Sequence, residues 1–247
     1  MKYKKIVLAA VMLGALSFGN SIAQTVTQSF TTESILIENT FGDLTEVKSA
    51  AQNGDKDAQA LLGEMYFRGQ GVDRSDDNAF LWTSKAAKSG HPTAQFNLGL
   101  LYATGSGTDE SIKQAFKWYK KSAKAGLPKA QLTVGDFYSK GTGTKKSQAK
   151  ALEWWEKAAL NGSGSAAGKL GFAYYYEDGV EQDVPKAAKF LAQGANDGNA
   201  SSLGLLGWIE LGIDRPKGLK YLRDAASRGD KFSKQTLEQW GEPGVDF

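Results

Sequence analysis

The 247-residue chain contains no cysteine and a single histidine, His91. Without cysteine it cannot form disulfide bonds, and metal sites that combine histidine with cysteine are excluded. Most nucleophilic catalytic triads require a histidine base, so such chemistry would depend on His91 alone. Stability must therefore come from side-chain packing, which a chain of this length can supply.

A marked excess of charge is also missing. The chain has 30 Lys and Arg against 27 Asp and Glu, and Lys2, Lys4 and Lys5 lie in an N-terminal segment described below. Without those three lysines the charges balance. A nucleic-acid-binding surface needs a basic stripe, whereas the lysine-rich run at 117–121 is typical of a solvated helix face. We expect no nucleic-acid partner.

A sustained apolar run occurs only near the N-terminus, at residues 6–18. Three lysines precede it, and Ser21-Ile22-Ala23 supplies the small residues that a signal peptidase requires. Residues 1–23 are therefore predicted to be a cleavable secretory signal peptide. No later segment is long enough to span a bilayer, so we expect a periplasmic protein without membrane insertion after cleavage.

A fixed period of 36 residues runs through the rest of the chain. Five glycines mark it, each in a phrase of the type Leu-Gly-x-x-Tyr: Gly63, Gly99, Gly135, Gly171 and Gly207. A constant period of this length predicts a stack of one small structural unit, in which each unit buries its apolar face against its neighbours.

Each unit is predicted to contain two helices. The first carries the Leu-Gly-x-x-Tyr phrase and ends at loop glycines, and the second carries an aromatic residue at Trp82, Trp118, Trp154 and Phe190. Residues 43–240 are thus predicted to form one all-α solenoid of about five helix-turn-helix repeats, with capping helices at both ends, over 43–53 and 231–240. Residues 24–42 form either a loosely ordered leader or an arm that packs on the first repeat, and 241–247 form a tail.

The recurring pattern resembles the SEL-like (Sel-one-like) repeat, a relative of the tetratricopeptide repeat. It reads Ala-x-x-x-Leu-Gly-x-x-Tyr-x-x-Gly-x-Gly, followed by Ala-x-x-Trp-x-x-Lys-Ala-Ala-x-x-Gly. The resemblance implies a right-handed α-solenoid whose first helices line a concave surface, and a protein-binding role, often in bacterial export compartments. Glu177 stands where the pattern has a loop glycine, Glu210 stands where it has tyrosine, and the fifth loop is shortened.

Candidate catalytic groups are few. His91 stands at a position that varies from repeat to repeat, and we expect it in a solvent-facing turn. The loop at 141–147 lacks the spacing of a phosphate-binding loop and does not follow a strand. Acidic pairs such as Asp76-Asp77 fall at the start of second helices, where negative charge favours the helix dipole. We predict no catalytic, metal or cofactor site.

The candidate binding site comes from first-helix positions that the repeat pattern does not dictate. These positions form a stripe that is mixed and charged at first and becomes aromatic toward the C-terminus. Gly168 and Gly204 are expected to leave room beside the aromatic rings. The alternative is that the rings pack on the terminal helix near Trp240 or on one another. The predicted groove residues are Phe96, Leu100, Asp136, Lys140, Phe172, Tyr175, Tyr176 and Trp208.

The sequence therefore favours a non-enzymatic, protein-binding protein of the Gram-negative envelope, with a protein or peptide partner held in the concave groove. It is expected to act as a regulatory or assembly adaptor and to be a monomer. One alternative is an immunity protein that neutralises a toxin delivered to the periplasm. Another is an enzyme acting on cell-wall peptides or β-lactams, which the absence of a Ser-x-x-Lys motif in a credible cleft disfavours.

Overall fold

A computed structural model describes residues 43–240, and the described residues form twelve α-helices and no strand. The predicted signal peptide, the 24–42 segment and the 241–247 tail lie outside the described residues. The helices are α1 (Leu44–Gln52), α2 (Lys56–Arg68), α3 (Asp76–Lys88), α4 (Pro92–Thr104), α5 (Ile112–Lys124), α6 (Pro128–Lys140), α7 (Gln148–Leu160), α8 (Gly164–Tyr176), α9 (Val184–Asn196), α10 (Ala200–Leu211), α11 (Arg215–Ser227) and α12 (Lys231–Gln239).

Ten of these helices pair into five hairpins, from α2–α3 to α10–α11, and each hairpin packs against the next. Helices α1 and α12 remain as single helices at the two ends of the stack. The predicted all-α solenoid of five repeats with terminal helices is confirmed. In such a stack each repeat contacts only its neighbours, so stability accumulates through successive interfaces.

Capping residues set the helix boundaries. The second helices of the first three repeats begin at a serine whose hydroxyl accepts a backbone N–H bond, and the first helices of those repeats end at a glycine in the left-handed conformation. The serines are Ser75, Ser111 and Ser147, and the glycines are Gly69, Gly105 and Gly141.

His91 also caps a helix, and its predicted exposure is wrong. Its side chain is 8% exposed, and Nδ1 accepts a hydrogen bond from the backbone N–H of Ala94 at 3.1 Å. Nε2 lies 3.4 Å from a carboxylate oxygen of Asp57 in the preceding repeat. The position varies between repeats because several side chains can cap a helix there, including Ser163 and Asn199.

The recurring glycines bring the two helices of each hairpin into close contact. A methyl group on any of the first four glycines would collide with the second helix of the same repeat; on Gly99 it would lie 2.7 Å from the ring of Tyr119. A methyl group on Gly207 would lie in tight contact, 3.0 Å from the backbone nitrogen of Leu222. The residue opposite the glycine lies 20 positions later in the sequence in the first four repeats. In the fifth repeat the loop is shorter, so this residue follows after fewer positions. The opposed residues are Thr83, Tyr119, Trp155, Leu191 and Leu222.

Lysines cover the aromatic residues of the second helices. Trp154 is buried, whereas Trp82 and Trp118 are half-buried. In each case the lysine three positions later lies over the ring, at 3.9 Å from Trp82, 3.8 Å from Trp118 and 4.5 Å from Trp154. These cation–π contacts place the charge in solvent while the lysine stem covers apolar surface.

A glutamine on the first helix joins each of the first three repeats to the helix before it. Nε2 of Gln59, Gln95 and Gln131 donates to the carbonyl of Ala51, Ala87 and Ala123, respectively, at 3.1–3.2 Å. These carbonyls lie near the end of the preceding helix, and each also accepts a bond from the backbone N–H of the glycine that follows the helix, at 3.1–3.2 Å. The fourth repeat has Ala167 at this position, and Gln193 of its second helix donates to the carbonyl of Ala159 instead, at 2.7 Å.

The spaces beside Gly168 and Gly204 are filled by serines, from α10 and α12, respectively. This corrects the expectation that these glycines leave room beside the aromatic rings. A Cβ on Gly168 would lie 2.6 Å from Oγ of Ser202, and a Cβ on Gly204 would lie 2.5 Å from Oγ of Ser233. Both serines are fully buried. The first helices of the last two repeats and α12 therefore approach one another closely.

Replacing Gly99 by alanine should destabilise the protein by about 1–3 kcal/mol, because the added methyl group overlaps the buried ring of Tyr119. The control is Gly212→Ala. Gly212 has a φ of −77°, and an added Cβ would have 3.6 Å to its nearest neighbour. Thermal unfolding followed by circular dichroism should show a lower midpoint for Gly99→Ala alone. Equal midpoints for the two variants would contradict the contact.

Glu177 ends α8 at a φ of 57°, where the equivalent residues of the three preceding repeats are glycine. A side chain in this left-handed conformation is strained, so Glu177→Gly should stabilise the fold by about 0.5–1 kcal/mol. Glu181→Gly, which removes an exposed glutamate from the same loop, should not stabilise it. Chemical denaturation measures both, and a loss of stability in Glu177→Gly would contradict the strain.

Candidate protein-binding surface

The first helices at the C-terminal end of the stack lie side by side. Helix α8 contacts α10, and α10 contacts α12, in addition to their contacts with second helices. We call the side of the stack formed by the first helices the inner side, because the resemblance to SEL-like repeats implies that first helices line the concave surface. Side chains that project from this side away from the second helices are thus available to a molecule in the groove.

Three aromatic residues at the end of α8 form a compact group. Phe172 and Tyr176, four residues apart on one helix face, stack with ring centroids 6.2 Å apart. Tyr175 meets Tyr176 edge to face at 4.9 Å. Tyr176 is 63% exposed, and Phe172 and Tyr175 are half-buried. Desolvation by the surrounding side chains, followed by the neighbouring Tyr175, raises the pKa of Tyr176. The group offers one exposed ring on an ordered support.

A second aromatic group lies on α10 and α12. Trp208 occupies in the fifth repeat the position of Phe172 in the fourth, 36 residues earlier. Its ring stacks on Trp240 at 5.8 Å and meets Phe232 edge to face at 5.7 Å. Trp208 is 38% exposed, and its two partners are also exposed. We call these six residues the C-terminal aromatic surface: Phe172, Tyr175, Tyr176, Trp208, Phe232 and Trp240.

Both interpretations of the aromatic residues thus describe part of the structure. The rings do pack on one another and on the terminal helix, as the alternative held. Phe172 pairs with Tyr176, and Trp208 pairs with Trp240, so neither ring takes the other as its partner. Tyr176 and Trp208 nevertheless keep large exposed fractions, which a purely internal role does not require.

Phe96 and Leu100 are buried, which corrects their expected exposure in the groove. Phe96 is 4% exposed and Leu100 is 8% exposed. The ring of Phe96 packs against Tyr119 at 5.1 Å, and Nζ of Lys129, from the next repeat, lies 5.3 Å from its centroid. These two residues belong to the repeat interfaces and offer little surface to a partner.

Asp136 connects three helices. Its Oδ1 accepts a hydrogen bond from Nε1 of Trp155 on α7 at 2.9 Å. The same oxygen lies 3.2 Å from Nζ of Lys169 on α8. Asp136 is half-buried, and through these two contacts this predicted groove residue supports the fold. Lys140, at the end of the same helix, is exposed.

Lys129 is a partly buried lysine on the first helix of the third repeat. Burial lowers the pKa of its amine from 10.5 to about 8, because removing water disfavours the charged form. The position gives the middle of the inner side an amine that changes charge near neutral to mildly alkaline pH.

Phe232 was missed by the sequence-based site prediction. It lies on the terminal helix α12, which is followed by no second helix among the described residues, and its ring is exposed. The signal that could have identified it is its place two residues after the helix-capping residue Asp230, in the first turn of the last helix of the stack.

The described residues contain no cluster of three or more His, Asp or Glu side chains that could hold a metal ion. No helix among residues 43–240 is both long and apolar enough to traverse a lipid bilayer.

The family model of the Sel1 repeat matches five consecutive segments, residues 56–91, 92–127, 128–163, 164–199 and 203–230. Each of the first four segments spans one helical hairpin with the turn that follows it, and the fifth begins within α10. The chain belongs to the Sel1 repeat family. Sel1 repeats generally serve as protein-interaction modules. An exposed surface formed by the first helices is compatible with that role.

Solved Sel1 structures resemble the chain. A Sel1 repeat protein of Oxalobacter formigenes is 30% identical, with a TM-score of 0.70 over 87% of this chain and 68% of that one. A protective antigen of uropathogenic Escherichia coli is 24% identical, with a TM-score of 0.56 over 92% of this chain and 60% of that one. A search of curated proteins gave no match.

An immunity protein of Pseudomonas aeruginosa is more distant. It is 22% identical, with a TM-score of 0.42 over 69% of this chain and 67% of that one. A likeness at this level carries no argument about the fold or the function of the present chain.

The lowered pKa of Lys129 predicts a pH dependence of stability. Between about pH 8 and the lysine's unfolded pKa of 10.5, the unfolded chain binds more protons at this residue than the folded chain, so stability should rise with pH. Lys129→Met should remove that contribution, and Lys140→Met, which removes an exposed lysine of the same helix, should keep it. Denaturation at several pH values between about 7 and 9.5 measures the slopes. Identical slopes in wild type and Lys129→Met would contradict the assignment.

Proposed function

We propose that this Sel1 repeat protein binds a protein or peptide partner on its inner side and that the C-terminal aromatic surface anchors the partner. The observation that carries the proposal is the exposure of Tyr176 and Trp208 on adjacent first helices. Both rings are held in place by stacking on Phe172 and Trp240, respectively. Rings ordered in advance lose little conformational freedom on binding.

Residue type supports the same conclusion. Tryptophan and tyrosine are enriched among the residues that dominate binding energy at protein interfaces. Each presents a large apolar area together with one polar group that can form a hydrogen bond at the rim of the contact. Exposed Lys140 on α6, the first helix of the preceding repeat, adds a charged group to the proposed binding surface.

The energetics limit how much the two rings can contribute. Burying each exposed ring should contribute about 2 kcal/mol, or about 4 kcal/mol together. The loss of translational and rotational freedom costs about 4–15 kcal/mol. The aromatic surface is therefore an anchor, and the rest of the inner side, including Asp136 and Lys140, has to supply further contacts.

The role we propose is a non-enzymatic adaptor in the bacterial envelope that acts in regulation or assembly. The predicted signal peptide supports the periplasm as its location. An immunity protein against a periplasm-delivered toxin is the alternative within the same binding class. It differs in its expected behaviour, because a dedicated toxin would form a tight one-to-one complex, whereas a regulatory partner would exchange.

Replacing both exposed rings, in Tyr176→Ala/Trp208→Ala, should weaken partner binding about 100-fold, which corresponds to about 3 kcal/mol. Affinity capture from an envelope extract identifies proteins retained by the wild type and lost by this variant. The dissociation constant of each such protein is then measured by calorimetry with purified components. The predicted groove residue Phe172 is tested in the same way by Phe172→Ala/Trp208→Ala.

The matched control is Leu160→Ala. Leu160 is 80% exposed and ends the second helix of the third repeat, so its loss should leave partner binding unchanged. Circular dichroism establishes that all variants remain folded. Undiminished binding by folded Tyr176→Ala/Trp208→Ala, or an equal loss in Leu160→Ala, would show that the aromatic surface is not the anchor.

A further inference from the structure

An open cavity of about 670 Å³ lies at the N-terminal end of the solenoid, between α1 and the loop that joins α2 to α3. Leu44, Tyr66 and Val72 supply apolar groups to its lining, whereas the rest of the lining is polar and includes Lys48, Asp73, Arg74, Ser75 and Asn78. The cavity lies at the first junction, where α1 meets the first repeat. It can be compared with the junctions between consecutive repeats, which have the same geometry.

At three junctions between consecutive repeats, the space that corresponds to the cavity is filled by the protein itself. In each, the loop of one repeat packs against the first residue of the second helix of the preceding repeat; a Cβ on Gly143, for example, would lie 2.8 Å from the carbonyl oxygen of Ile112. The first turn of that second helix thus closes the space behind the loop. The three contacts are Gly107 with Asp76, Gly143 with Ile112 and Gly179 with Gln148.

The walls of the space are also equivalent. At the second junction the ring of Phe80 meets Tyr102 edge to face at 5.4 Å, and at the third Phe116 meets Tyr138 in the same way at 5.3 Å. Thirty-six residues before Phe80 and Tyr102 stand Leu44 and Tyr66, and both of these line the open cavity.

The cavity is open because α1 is one turn shorter than the helices it corresponds to. Helices α3, α5 and α7 contain 13 residues each, whereas α1 contains 9. Its last residue, Gln52, is in register with Lys88, so the missing turn is at its N-terminus. Asp43 caps α1 there in an extended conformation, with φ −115° and ψ 170°, which turns the chain out of the helix beside the cavity.

We propose that residues 35–42 of this same chain occupy the cavity and close the first repeat. The segment joins Asp43 directly, and eight residues can span up to about 28 Å, which allows it to return over the loop at 69–75. It carries Ile35, Leu36, Ile37 and Phe41, which supply apolar side chains for a lining that contains Leu44, Tyr66 and Val72. Covalent attachment gives the segment a high effective concentration at the cavity.

This contact would give the first repeat the support that the second, third and fourth repeats each receive from the one before. It lies at the opposite end of the stack from the C-terminal aromatic surface. The segment therefore stabilises the fold without competing for the anchor, and the proposal stands independently of partner binding.

The test compares two variants of the full chain. Leu36→Ser/Phe41→Ser removes apolar groups from the proposed occupant, and Phe30→Ser makes the same kind of change outside residues 35–42. Hydrogen exchange followed by mass spectrometry should show amides of loop 69–75 exchanging about tenfold faster in the double variant alone. The equivalent loop at 105–111, filled by α3, should be unchanged and serves as the internal control.

Two results would overturn the proposal. One is exchange at 69–75 that is the same in wild type and in Leu36→Ser/Phe41→Ser. The other is protection of this loop that disappears on dilution together with a dimer detected by analytical ultracentrifugation, because the occupant would then belong to a second copy. Neither measurement involves the binding partner, so a failure here is distinguishable from a failure of the proposed function.

Discussion

The close contact between each recurring glycine and the residue opposite it on the second helix fixes the geometry of every repeat. At Gly99 the backbone of α4 lies against the ring of Tyr119, with no space for a methyl group. The same relation recurs in all five hairpins, although the opposed side chain changes from threonine to tyrosine, tryptophan and leucine. The glycine sets the distance between the helices, and the larger residue fills it, which gives hairpins of similar shape from different side chains.

Variation between repeats is concentrated where consecutive first helices meet. Phe96 and Leu132 occupy the positions that Gly168 and Gly204 occupy in the last two repeats. Each of those two glycines receives a buried serine of the following helix, and contacts between first helices are most extensive there. The same part of the stack carries Tyr176 and Trp208 at its surface. Close backbone packing beneath and exposed rings above are the combination that an anchoring surface requires.

The periodic features of the fold could be predicted from the sequence because each is repeated up to five times in register. Glycine spacing gave the repeat boundaries, and the loop glycines gave the ends of the first helices. Exposure could not be predicted in the same way. A helical projection gives the direction of Phe96 relative to its own helix, but its burial depends on Tyr119 and on Lys129 of the next repeat. His91 illustrates the same limit, since its capping bond to Ala94 is local but its burial arises from the stack.

The central claim is that the inner side at the C-terminal end of this Sel1 repeat protein contacts another protein in its native compartment. Site-specific photo-crosslinking in intact cells tests it most directly, with a photoreactive phenylalanine analogue placed at position 176 or, for comparison, at position 160. Both native side chains are exposed, but only Tyr176 belongs to the aromatic surface. The account predicts a discrete crosslinked protein from position 176 and none from position 160. Crosslinks of equal yield at both positions, or none at position 176, would contradict it.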